Sequence, residues 1–307
     1  MSFSVTLIAV ATMLAYAIPA FALIKAKLLK PDCIPGIAGI LLYICTPAII
    51  LHSFQAVDFS MEMLKNLSIF ALGAAIIQLP MLTGAYLVIR KKSDAVKNRI
   101  AVLACSFGNC GFFGIPLLKA LIPDAPGVVV YSAVYSILMN FFAFTLGAFI
   151  ISKDKSYIKI RKILLNPSIL PALLAIPLFL FRVKFPAEIN AMLELLVKMS
   201  TPLCMFVLGM RLATMRFSEV FRTPSLYLSV AVKQLLMPLT AFALMLLLPG
   251  DAVMKQALLI LACTPVASVV LNLSEVLGEG QEYAAKVVLL GTILSILTIP
   301  AIAALLL

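Results

Sequence analysis

The sequence predicts an all-α integral membrane protein of ten transmembrane helices, arranged as two inverted five-helix repeats. Three observations predict it. First, 63% of the residues are hydrophobic and only 12% charged, against roughly a quarter charged in a soluble domain. Apolar stretches of about 20 residues follow one another from Val5 onward, each able to cross ~30 Å of hydrocarbon. Second, the chain repeats itself. Thr46-Pro47 returns as Thr201-Pro202, Gln78-Leu79-Pro80 as Leu236-Met237-Pro238, Leu103-Ala104-Cys105-Ser106 as Leu261-Ala262-Cys263-Thr264, and the run from Ser136 as the run from Thr292, at offsets of 155, 158, 158 and 156. Five spans per half is an odd number, so the second copy enters the bilayer upside down, the mark of an alternating-access transporter. Third, the basic residues are unevenly shared between the two sides, as the spans show.

In order, the spans are 5–24, 34–54, 67–89, 100–122, 127–151, 167–181, 189–210, 225–248, 254–274 and 284–306. Repeat one is 1–152, a short linker is 153–165 and repeat two is 166–307. Ala20-Phe21-Ala22 resembles a signal-peptide cleavage site, but Met1 to Thr6 carries no positive charge. A secretory signal needs charge before its apolar run, so the first span is expected to be a retained helix. Basic residues follow the odd-numbered spans: Lys25, Lys27 and Lys30; then Arg90, Lys91, Lys92, Lys97 and Arg99; then Lys153, Lys155, Lys159, Arg161 and Lys162; then Arg211, Arg216 and Arg222; then Lys286. That places 17 on one side against 5 on the other, Lys65, Lys119, Arg182, Lys184 and Lys255. The positive-inside rule puts both termini outside the cytoplasm, in a multi-pass protein of the cell membrane. The net charge of +11 is therefore a topology signal, and no nucleic-acid partner is expected.

The fourth span crowds Gly108, Gly111 and Gly114 around Asn109, with Pro116 one turn on. Glycine and proline disfavour continuous helix, and a break within lipid survives only against protein or a wet cavity. Close helix packing through small residues accounts for the glycines alone but not for Asn109, whose amide needs a polar partner. The ninth span has Thr264-Pro265 at the equivalent place, followed by Ala267, Ser268 and Asn272. Matched interruptions predict two discontinuous crossing helices, four and nine. Their half-helix amino termini present unpaired N–H groups and positive dipole ends, which favour an anion such as a carboxylate. Ser106, Asn109, Gly111, Thr264, Pro265, Ala267 and Ser268 are the candidate substrate-binding residues, with Gly108, Pro116 and Pro265 at the breaks.

Lys233, within the eighth span, is a further candidate. An intramembrane lysine serves as a substrate counter-charge or as a partner for helix-end carbonyls, unless it snorkels to the surface two turns away; both readings stay open. Lys198 has Glu194 four residues earlier, the spacing of an ion pair. Glu275 stands alone near the end of span nine, and Gln78, Ser132, Ser136, Asn140, Thr292 and Ser295 read as interhelical hydrogen-bonding residues or as the lining of a path. The six cysteines lack metal-ligand spacing and read as small hydrophobes. His52 is the only histidine, which excludes a histidine cluster. No metal or cofactor is expected.

SFGNCGFFGIPLLKAL, from Ser106 to Leu121, resembles the SFGN-x-GF-x-GIPL segment of the auxin efflux carrier family. Asn166-Pro167, the TPL-x-x-x-x-LG run from Thr201 to Gly209, CTPVAS and the stretch from Ser295 to Pro300 resemble its second half. The likeness covers essentially the whole chain. It departs at Cys110, where threonine is usual, and in lacking the large central loop of plant auxin exporters, which implies a bacterial-type carrier. The resemblance implies the fold of bile-acid/sodium symporters: helices one, two, six and seven as a scaffold, and helices three to five and eight to ten as a mobile core. It includes permeases for malate and malonate. Asn109, Pro116 and Pro265 match its crossover motifs, and Thr46, Pro47, Thr201 and Pro202 match scaffold motifs facing them.

The expected function is a secondary carrier or uniporter for a small organic anion, using proton coupling or none. A sodium-coupled symporter of the same fold is the alternative, disfavoured by the scarcity of carboxylates in the core. An intramembrane enzyme would need clustered carboxylates, histidines or a metal site, and a channel would show neither saturation nor counterflow. A homodimer is left open, since lipid-facing and partner-facing surfaces are both apolar.

Overall fold

The protein is described by a computed structural model that covers residues 8, 11–12, 14–90, 95–122, 124–159, 161, 164–216 and 218–306. The start of the first span and the basic residues Lys91, Lys92 and Lys162 lie outside the described residues. The described elements are helical: α1 (Ala17–Lys25), α2 (Pro31–Gln55), α3 (Met61–Ile89), α4 (Val96–Ser106), α5 (Gly114–Leu121), α6 (Val129–Ser152), α7 (Ile169–Leu180), α8 (Ala187–Ala213), α9 (Pro224–Leu247), α10 (Ala252–Cys263), α11 (Ser268–Leu277) and α12 (Gln281–Leu306). Helices α2, α3, α6, α8, α9 and α12 are long and apolar enough to cross a membrane, while α7, α10 and α11 are shorter apolar helices. The chain is thus a helical membrane protein with several crossings.

Local chemistry sets several boundaries. The third span starts at Met61 rather than 67 because Ser60 caps it, its Oγ accepting from Met63 N at 3.0 Å. Asp251 caps α10 in the same way through Met254 N. Two of the three π-helical turns, Leu41–Cys45 in α2 and Val232–Leu236 in α9, end just before Pro47 and Pro238. A proline ring clashes with the carbonyl four residues back, and the wider turn relieves that clash. Lys286, in the first turns of the tenth span, lies in α12 and pairs with Glu219 and Glu282.

The helices pack in a continuous network. Helix α8 lies along α1 and against α2, and α7 against the second half of α2. Gly209 permits the closest of these approaches: a Cβ there would run into the Ala17 backbone. Helix α3 packs on α4 and α6, α9 on α10 and α12, and α12 on α4 and α11. Helix α11 also packs on the start of α2, α6 on its end and α8 on α12. Outward faces carry leucines such as Leu72, Leu170, Leu173 and Leu195, as lipid contact requires.

Candidate functional site

Span four stops being helical after Ser106 and resumes at Gly114; span nine stops after Cys263 and resumes at Ser268. Phe107 is extended (φ −116°, ψ 129°), and so is Thr264 (φ −57°, ψ 148°), as expected of a residue before proline. The two interruptions lie against each other as a single antiparallel bridge, Gly108 opposite Val266. Ala267 N–H donates to Phe107 O at 2.9 Å and Asn109 N–H to Pro265 O at 2.8 Å. Pro116 falls in the first turn of α5, where its missing N–H costs nothing; the break itself is made upstream, around Gly108 and Asn109.

Every carbonyl from Phe107 to Phe112 is paired. Gly108 O accepts from Cys110 N, Asn109 O from Phe113 N and Gly114 N, and Gly111 O from Ile115 N. Ser132 Oγ donates to Cys110 O at 2.6 Å, and Thr201 Oγ1, from α8, donates to Phe112 O at 3.0 Å. The acceptors of the first interruption are therefore satisfied, as a break in lipid demands. Donors are left over: among the described residues, no hydrogen-bond acceptor meets the N–H groups of Phe112, Ser268 and Val269. The α11 amino terminus has no side-chain cap.

Those three residues line one cavity together with Asn109, Gly111 and Ala267, closed by Leu42, Thr46 and Ile49 of α2 and Ser136, Met139 and Asn140 of α6. Asn109 Nδ2 donates to Ser268 Oγ at 2.9 Å, joining the two interruptions across it. The cavity holds about 30 Å³, too little for an organic acid. Its electrostatics follow from the backbone: uncommitted N–H groups and a helix amino terminus, with no carboxylate among the lining residues.

The remaining substrate-binding candidates are not at the cavity. Ser106 Oγ is bonded to Val102 O at 2.7 Å, and Thr264 Oγ1 to Leu261 O at 2.6 Å. Lys233 is fully buried in the π-helical turn of α9, so it does not snorkel. Its Nζ donates to Ala262 O at 2.8 Å and Thr264 O at 2.7 Å, capping the carboxyl end of α10. Of the scaffold motifs, Thr46 reaches the cavity and Thr201 reaches the break; Pro47 and Pro202 shape their helices. Glu275 is not alone: Arg211 of α8 holds it bidentately. Lys198 and Glu194 do pair, at 2.8 Å and largely exposed. Leu42, Ile49 and Met139 went unread in the sequence, because apolar residues in an apolar span carry no local signal. Among the described residues no group of His, Cys, Asp and Glu could hold a metal ion.

A family model described as a membrane transport protein matches residues 5–303. No curated protein matches the chain.

Proposed function

Because the chain belongs to the auxin efflux carrier family of membrane transport proteins, we propose that it carries a small organic anion, a carboxylate, across the cell membrane by alternating access. One observation carries the reading: two interrupted helices meet at a cavity lined by backbone N–H groups that no acceptor meets and bridged by the Asn109 amide, which donates to Ser268. Such a site binds a carboxylate through partial charges, strongly enough to select it and weakly enough to release it. In this proposal the chain is two inverted five-helix repeats, and α1, α2, α7 and α8 form a scaffold against which the other helices move. The small cavity supports it, since an organic acid enters only if α2 and the interruptions separate. Lys233 supports proton coupling or uniport over sodium coupling. The carbonyls of Ala262 and Thr264, acceptors beside the second interruption, are engaged by its ammonium and so are not free to ligate a sodium ion.

The test is thermal-shift screening of the purified protein against dicarboxylates, amino acids and indole acids, with and without sodium. A carboxylate should raise Tm equally with sodium and with potassium, and should show saturable counterflow in proteoliposomes. Stabilisation by amines or neutral solutes only would overturn the anion reading, and stabilisation only in sodium would overturn the coupling.

A further inference from the structure

At the basic end of the helices, away from the cavity just described, a second pocket of about 460 Å³ opens between α3, α4 and α6. Arg90, Arg99, Lys153 and Lys155 line it, with Tyr86, Ile89, Phe149 and Ile150 as its apolar wall. Arg99 is anchored by Nη1 to Ile151 O, while its Nε is buried and has no hydrogen-bond partner among the described residues. Arg90 lies over the Tyr86 ring, 5.4 Å from its centroid. Guanidinium groups held in this way are preorganised for a phosphate, which they bind by forked hydrogen bonds.

A third cavity, of about 430 Å³, continues from it. Ile89 and Asn98 line both. This second stretch is an apolar groove between α3, α4 and α9, running past Val88, Ala85, Gly84 and Met81 to Leu236. Basic head and apolar tail, joined by shared residues, have the shape and polarity of one amphiphile. We propose that the combined site binds an anionic phospholipid, its phosphate among Arg90, Arg99 and Lys155 and one acyl chain along the groove over Gly84. Basic pockets at the ends of membrane helices suit such headgroups, and the apolar groove is what a free phosphate would leave unused.

Gly84 makes the proposal testable without damage to the fold, because a Cβ there meets nothing within 4 Å. The full-length protein, purified in detergent, is titrated with phosphatidylglycerol, with phosphatidylcholine of the same chains, and with inorganic phosphate, following Tm and lipid retention by native mass spectrometry. Phosphatidylglycerol should bind and stabilise, and the other two should not. Arg90→Gln with Lys155→Gln should weaken phosphatidylglycerol binding about thirtyfold, at roughly a tenfold factor or less per charge. Gly84→Phe should also weaken it while leaving the lipid-free Tm unchanged. Equal binding of the two lipids, or wild-type retention by both variants, would overturn the site. Stabilisation by inorganic phosphate as strong as by phosphatidylglycerol would replace the lipid with a soluble phosphate.

Discussion

Arg211 of α8 holds Glu275 of α11 through Nε to Oε1, at 2.6 Å, and through Nη2 to Oε2. The Glu275 side chain is fully buried and Arg211 only 19% exposed. Breaking a buried pair from one side leaves an uncompensated charge and costs about 3–5 kcal/mol. Glu275→Gln and Arg211→Met should therefore each lower Tm, and a double-mutant cycle should return a coupling energy well above the ~1 kcal/mol of exposed pairs. The pair joins the proposed scaffold to the proposed mobile core, so in the proposed transport cycle it opens when they move. Additive losses in the cycle would show that the two side chains do not depend on each other.

Among the described residues, Asn109 supplies the only side-chain bond between the two interruptions that lies in the cavity wall, its contact with Ser268. Asn109→Leu removes the donor and leaves Ser268 buried, a loss of about 1–3 kcal/mol. Asn109→Asp keeps the shape but adds a negative charge beside the proposed anion. The aspartate variant should lose carboxylate-induced stabilisation at neutral pH more completely than the leucine variant. Carboxylate affinities equal to wild type in both would remove Asn109 from the binding site.

Gly108 is fixed by what stands against it. A Cβ at that position would lie 2.5 Å from Thr264 Oγ1 and 2.9 Å from Lys233 Cε. Gly108→Ala should cost about 1–3 kcal/mol, as overpacking of a filled interior does, and disturb the Lys233 cap on α10. Lys233→Met removes the donor to Ala262 O and Thr264 O and should destabilise more than Lys233→Gln, which keeps one donor group. Urea titrations in mild detergent would rank the variants. A Lys233→Met protein as stable as wild type would mean the α10 carboxyl end needs no cap.

Much of this was legible in the sequence because the signals are local. Gly108 with Asn109 and Thr264 with Pro265 interrupt their helices by their own backbone chemistry, and the repeat offsets put those interruptions opposite each other before any contact was known. Ser60 and Asp251 cap their helices by equally local chemistry, yet the span limits of 67 and 254 pass them by. The partners of Lys233 and Glu275 were not legible. They lie 29 to 31 and 64 residues away in the chain, and only tertiary packing chooses them. Nor could the sequence say which candidates face the cavity. An extended segment such as Phe107 to Asn109 alternates its faces, so Asn109 and Gly108 point apart, but only the packing of α2 and α6 on one side and of Lys233 on the other decides which meets the cavity.

The orientation of the chain in the membrane rests on the 17-to-5 division of basic residues, and it can be tested with thiols. Cys45, Cys105, Cys110, Cys204 and Cys263 are buried and Cys33 is half-buried, so replacing Cys33 alone should leave a low labelling background. Lys155 and Lys65 are both exposed and belong to opposite sides of the proposed topology. With a membrane-impermeant maleimide on intact cells, Lys65→Cys should label at once. Lys155→Cys should label only after permeabilisation, because the basic side is retained in the cytoplasm. The reverse pattern would invert the protein, and with it the direction in which the cavity opens during the proposed cycle. Labelling of both from outside would put an even number of crossings between the two residues, where the inverted repeat requires α3, α4–α5 and α6 to make three.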